Sequence, residues 1–156
     1  AGVNLTYMFH KFGPAENKSN NTGFYIGSVV NIPLRDQMSI QPEILFSSAE
    51  YINGPEKLNQ LHLPVLFNYE VLTDFRLSLG PELQYVLKKG ESDLDNETLN
   101  RFLFAGNFRM SYEFINNFHI EAGYTYTFTK GWNQSPSAYH RINFARIGLL
   151  YFFEKK

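Results

Sequence analysis

The chain has 156 residues, 44% hydrophobic, 17% aromatic and 19% charged, a length suited to one domain over residues 1–156. Fifteen Phe and ten Tyr make it too apolar for a disordered chain, and the absence of Cys excludes a disulfide scaffold, a thiolate zinc site and a cysteine nucleophile. A formal net charge of −1 removes the electrostatic footprint of a general nucleic-acid binder.

Taken in chain order, apolar residues recur at every second position. Val3, Leu5, Tyr7 and Phe9 alternate with Gly2, Asn4, Thr6 and Met8. Phe24, Ile26, Val30 and Ile32 alternate with Tyr25, Gly27, Val29 and Asn31. Met38, Ile40, Ile44 and Phe46 oppose Ser39, Gln41, Glu43 and Ser47, and Leu61, Leu63, Val65, Phe67 and Tyr69 oppose His62, Asn68 and Glu70. From Phe75, the series Leu77, Leu79, Pro81, Leu83, Tyr85 and Leu87 is set against Arg76, Ser78, Gly80, Glu82, Gln84 and Lys88. Phe104, Phe108, Met110, Tyr112 and Phe114 oppose Asn107, Arg109, Ser111 and Glu113. Phe118, Ile120, Ala122, Tyr124, Tyr126 and Phe128 oppose His119, Glu121, Gly123, Thr125 and Thr127. The last stretch, Arg141 to Phe153, is apolar on both parities, and a bulge there could switch faces.

Successive side chains of a strand point to opposite sides, so this period predicts eight strands, each with one apolar face. The connections alternate in length. His10–Thr22, Tyr51–Lys57, Lys89–Asn100 and Lys130–His140 are long and polar; Pro33–Gln37, Leu72–Asp74 and Ile115–Asn117 are short. In an up-and-down meander all the long loops then share one end, and both termini share the other with the tight turns. That is the pattern of an outer-membrane barrel, with long external loops and short periplasmic turns. A soluble, lipocalin-like barrel is the alternative closed sheet, with its apolar parity turned inward. The membrane orientation is favoured. Most strands run about 10–13 residues, enough to cross about 25 Å of hydrocarbon when tilted. The apolar parity is almost free of charge and strongly aromatic, and no Gly-x-Trp lipocalin signature begins the chain. Pro42, Pro64 and Pro81 fall inside strands and cannot donate to the ladder, which predicts a bulge or distorted pairing near Pro64 and Glu82.

Four stretches in order carry a family likeness: Gly23-Phe24 through Asn31-Ile32-Pro33-Leu34, Gln41-Pro42-Glu43, Leu61-His62-Leu63-Pro64, and Gly80-Pro81. Over about residues 23–90 the chain resembles the PorT-like outer-membrane β-barrels of Gram-negative bacteria. The resemblance implies an eight-stranded barrel exported with a signal peptide, and some relatives serve protein secretion across the envelope. One departure is that Phe152 and Phe153 are followed by Glu154-Lys155-Lys156, where such barrels commonly end in an aromatic residue.

Inward charges in so narrow a lumen must pair, because an unpartnered buried charge costs several kcal/mol. The expected structural network comprises Glu43, His62, Arg76, Glu82, Arg109, Glu113, His119, Glu121 and Arg146, with Arg109 pairing to Glu82, Glu113 or Glu121. Glu70 and Lys88 share the same parity. Interfacial aromatic anchors are expected at Tyr69, Tyr85, Tyr112, Tyr124, Tyr126, Trp132 and Tyr151.

No catalytic residue, cofactor or metal site is expected. His119 and Glu121 with Thr125 resemble the parts of a lipid-modifying hydrolase, yet they point inward rather than to lipid. His10 and His140 form a poor metal site, and the acidic run Ser92–Glu97 lacks the glycine of a calcium loop. The reading is a non-enzymatic accessory subunit of a secretion or transport complex. Its expected partners are outer-membrane lipid and lipopolysaccharide and another envelope protein, with no nucleic acid; a lipid-modifying enzyme and a narrow pore are the competing membrane functions.

Overall fold

The computed structural model describes residues 1–12, 15–50, 57–88, 101–129, 132–135 and 138–153; the side chains of residues 4–21, 50, 57, 88 and 132–142 lie outside that description. Its strands are β1 (Gly2–Phe12), β2 (Ala15–Val29), β3 (Ile32–Arg35), β4 (Met38–Glu50), β5 (Lys57–Leu72), β6 (Phe75–Lys88), β7 (Phe102–Ile115), β8 (Phe118–Thr127), β9 (Trp132–Ser135) and β10 (Ala138–Tyr151). The strands pair antiparallel along the path β1-β2-β4-β5-β6-β7-β8-β10, with β3 on β4 and β9 on β10, and β1 pairs with β10 from Gly2↔Gly148 to Phe12↔Ala138, so the sheet closes on itself. Closure satisfies the backbone groups that an open edge would leave bare in hydrocarbon. The short β3 continues the path of β2 beyond a break at Val30–Asn31, and β9 continues that of β8; merging them gives the eight barrel strands.

The faces follow the sequence period. Leu79 and Ile120 on the outer wall are 63% and 47% exposed, whereas Glu82 and Glu121 are 1% and 6% exposed. A soluble barrel with an apolar interior is thereby excluded, because its greasy parity would be the hidden one. The lumen is not wholly polar: Leu66, Leu103 and Phe144 are also fully buried inside it.

Several expectations are corrected. His10–Thr22 is not a long loop: β1 runs to Phe12 and β2 begins at Ala15, with eleven cross-strand pairs ending at Phe12↔Ala15. Above a membrane both faces of a hairpin meet water, so a polar ribbon pairs without any alternation. Pro33–Gln37 likewise contains β3, which leaves a turn at Asp36–Gln37. Part of Lys130–His140 lies in β9 and β10, while Tyr51–Glu56 and Lys89–Asn100 lie outside the described residues. The last strand keeps one register from Phe144↔Thr125 to Tyr151↔Phe118, with Phe144, Arg146 and Gly148 facing in; its irregularity falls earlier, at Ala138/Tyr139. Pro64 stands opposite Glu82 as expected, and of the bulge or distorted pairing predicted there it is the second that occurs: Val65 and Leu66 drop out of the ladder with β6, and Leu63 and Pro64 out of the ladder with β4. The register is the same at Leu63↔Leu83 and Phe67↔Leu79, and the shifts sit at Asn59/Gln60 and Glu70/Leu72. The Asn116–Asn117 turn places Asn117 at φ 68°, a left-handed conformation that Asn tolerates, and its N–H donates to Glu113 Oε1 at 2.9 Å.

Candidate functional site

The register decides which side chains meet inside. Arg109 on β7 and Arg146 on β10 both pair with Gly123 on the strand between them. A Cβ at Gly123 would press on the Arg109 side chain and the Phe108 carbonyl, so the glycine gives Arg109 room in the layer it shares with Arg146. Gly148 does the same for Tyr25, since a Cβ there would collide with the phenol.

Arg109 Nη1 lies 2.9 and 3.0 Å from the two oxygens of Glu43 and 3.4 Å from Glu121 Oε2, and its Nε donates to Asn107 at 3.1 Å. Glu121 Oε1 accepts from the Tyr25 hydroxyl at 2.8 Å, and Glu43 from Gln41 at 2.6 Å. Arg146 stacks over the Tyr25 and Phe144 rings and reaches Glu82 through Nη2 at 3.1 Å and Nη1 at 3.4 Å. Glu82 also accepts from Asn107, from Gln84 at 2.9 Å and from Thr125 at 3.3 Å. Central carboxylates thus outnumber the guanidinium groups, and neutral donors supply the remaining hydrogen bonds. Charge-assisted bonds of this kind hold a buried anion that would otherwise be prohibitively costly.

Of the three carboxylates expected for Arg109, Glu121 is one partner and Glu43, on the far side of the lumen, is the other. Glu82 is taken by Arg146 and His62. Glu113 lies 3.9 Å from His119 near the turn end. There Arg76 bonds Glu70 at 2.9 Å and sits over Phe152, beside a cavity of about 380 Å³. His119, Glu121 and Thr125 are all buried, but their polar atoms go to different partners and form no relay. His10 and His140 fall opposite each other in the β1–β10 register; their side chains, that of Lys88 and the run Ser92–Glu97 lie outside the described residues.

The expected anchors Tyr69, Tyr112, Tyr124, Tyr126 and Tyr151 stand exposed on the outer wall, and Tyr85 is half-buried against Phe102. Tyr124 pairs with Phe108, midway along β7. The Trp132 side chain lies outside the described residues, although its backbone belongs to β9. Sequence reasoning missed Tyr25 and Phe144, two aromatic side chains that face in. Their parity with Gly27 and Arg146 was the available signal.

A closed sheet with apolar side chains outside and bonded charges within is the arrangement of a small membrane barrel. Residues 1–131 match the family model described as outer membrane protein beta-barrel domain. The chain belongs to that family. It is an outer-membrane β-barrel protein. Two solved structures share the family fold with this chain. Neisserial surface protein A has a TM-score of 0.53 at 15% identity, with 96% of each chain covered. The outer membrane enzyme PagL has a TM-score of 0.52 at 9% identity, covering 92% of this chain and 97% of that one. Likenesses at such identities establish the fold alone. No curated protein matches the sequence.

Proposed function

We propose that the protein is an accessory subunit of an envelope secretion or transport complex, held in outer-membrane lipid and lipopolysaccharide and contacting another envelope protein through its loops or outer wall. One observation carries this reading: the middle of the lumen is filled by Glu43, His62, Glu82, Asn107, Arg109, Glu121 and Arg146, every one of them buried. Among the described residues, a lumen so filled leaves no continuous aqueous path from one end of the barrel to the other, which leaves its outer surfaces for its principal work. The longer connections at 51–56 and 89–100, set against two-residue turns at 36–37, 73–74 and 116–117, support periplasmic termini and turns, with the long loops outside. The ordered stretches between Gly23 and Pro81 support a PorT-like role in secretion.

The test is site-specific photocrosslinking in cells, with probes in the segments 89–100 and 130–140 and at the wall positions Phe104 and Leu149. Capture of one envelope protein from a localized set of positions is expected. Crosslinks to lipid or lipopolysaccharide alone would overturn the reading. In planar bilayers the purified protein is expected to give background conductance, and a steady unitary current would favour a pore instead.

A further inference from the structure

One line of hydrogen bonds in the loop-side half of the lumen exceeds what charge pairing requires. Ser47 Oγ on β4 is 2.7 Å from His62 Nε2 on β5, and His62 Nδ1 is 2.7 Å from Glu82 Oε1 on β6. The register accounts for the alignment: His62 pairs with Leu45 and Gln84, so Ser47 and Glu82 are each its diagonal neighbour on the same face. All three side chains are buried.

The proton on the imidazole decides the chemistry. With Nδ1–H donated to the Glu82 carboxylate, Nε2 keeps a lone pair for the Ser47 hydroxyl, the arrangement that turns a serine into a nucleophile. Arg146 Nη2 lies 2.9 Å from Nδ1 and 3.1 Å from Glu82 Oε1; with Nδ1 protonated its N–H goes to the carboxylate, and the opposite tautomer would instead take that N–H at Nδ1. A second feature points the same way. Gln60 pairs directly with Ser47, is fully buried, and neither its Nε2 nor its Oε1 has a hydrogen-bond partner among the described residues, so its amide can turn its donor toward Ser47. An amide donor beside a nucleophile is what a developing oxyanion needs. Leu58, Val86, Leu103 and Phe144 are buried, Phe144 sets its ring edge-on to His62 at 5.2 Å, and the Ala49↔Leu58 pair lies between Ser47↔Gln60 and the strand ends at Glu50↔Lys57.

We propose that Ser47 is a nucleophile toward small esters with an apolar acyl group, with His62 as general base, Glu82 as the carboxylate that orients it and Gln60 Nε2 as oxyanion donor. Ser47 Oγ bonds to the carbonyl carbon while its proton passes to His62 Nε2. The carbon–oxygen bond to the alcohol breaks, and the alcohol leaves with that proton. Water then attacks the acyl-serine through the same base, releasing the carboxylic acid and restoring Ser47. This activity is independent of the accessory role, since wall and loops can hold a partner whether or not Ser47 reacts.

The test treats the detergent-folded protein with a fluorophosphonate probe and with p-nitrophenyl butyrate, folding being verified by heat-modifiable gel migration. A single adduct on the Ser47 peptide is expected, absent in Ser47→Ala, slowed at least tenfold in His62→Gln, and unchanged in Ser39→Ala. Gln60→Leu is expected to lower kcat/KM for the ester at least tenfold. Absence of label on Ser47 in folded protein, or equal labelling in His62→Gln, would overturn the proposal. Should His62→Gln fail to fold, ¹⁵N shifts of the wild-type imidazole decide. Protonated Nδ1 with bare Nε2 supports the assignment, and the reverse tautomer sinks it.

Discussion

Arg146 and Glu82 meet across the lumen at 3.1 Å, joining β10 to β6, two strands that share no ladder. With both side chains buried, the pair ties opposite walls of the cylinder together. Removing one partner strands a charge. Glu82→Gln and Arg146→Gln are each expected to cost about 3–5 kcal/mol in urea unfolding from detergent. The double variant should lose less than the sum, and strict additivity would show that the two groups are not coupled.

Gly148→Ala tests how tightly the interior is filled. Its new methyl would overlap the Tyr25 hydroxyl, which is itself bonded to Glu121. Overpacking of this kind costs about 1–3 kcal/mol. Tyr25→Phe in the same chain should relieve part of the clash, visible as a partial recovery of the unfolding midpoint. An unshifted midpoint for Gly148→Ala alone would count against the packing described.

Much of this was legible in the sequence, and the reason lies in the solvent. Hydrocarbon rejects charge, so the lipid-facing parity of β6, β7 and β8 carries an uninterrupted apolar signal, and the strands read out nearly as they fold. Where lipid no longer constrains the chain, the signal fades. The facing ends of β1 and β2 carry a polar sequence without alternation, and β9 is too short to alternate visibly. The pairing of Arg109 with Glu43 was illegible for another cause. Those residues sit on β7 and β4, and which inward side chains face each other across a barrel depends on strand stagger, which period alone does not reveal. Ser47 and His62 were hidden likewise: each was placed on the correct face, but their diagonal contact needed the β4–β5 register.

Charge reversal at Arg109 offers a third check. Arg109→Glu would place a carboxylate between Glu43 and Glu121, both of which now bond the guanidinium. The variant is expected to fail to fold at neutral pH in detergent micelles, seen as loss of heat-modifiable migration. Arg109→Lys should fold with a lowered midpoint, because one ammonium cannot reproduce the planar contacts to Glu43, Glu121 and Asn107. Folding of the Glu variant equal to wild type would show that the network does not bear on stability.

The outer wall answers to a different substitution. Ile120→Arg and Leu79→Arg put a cation on the exposed apolar face, where the cost near the bilayer midplane is about 2–4 kcal/mol. The loss should appear in vesicle-folded protein by equilibrium urea titration. Equal stability of variant and parent would mean that this face does not meet hydrocarbon.

The most direct measurement uses a single indole as a reporter. Trp132 is the one tryptophan in the chain, so Leu79→Trp combined with Trp132→Phe leaves one fluorophore on the outer wall. In vesicles of lipid brominated along the acyl chains, its emission is expected to be strongly quenched, and aqueous acrylamide should have little effect. Strong acrylamide quenching with no response to the brominated lipid would place Leu79 in water and contradict the orientation of the barrel.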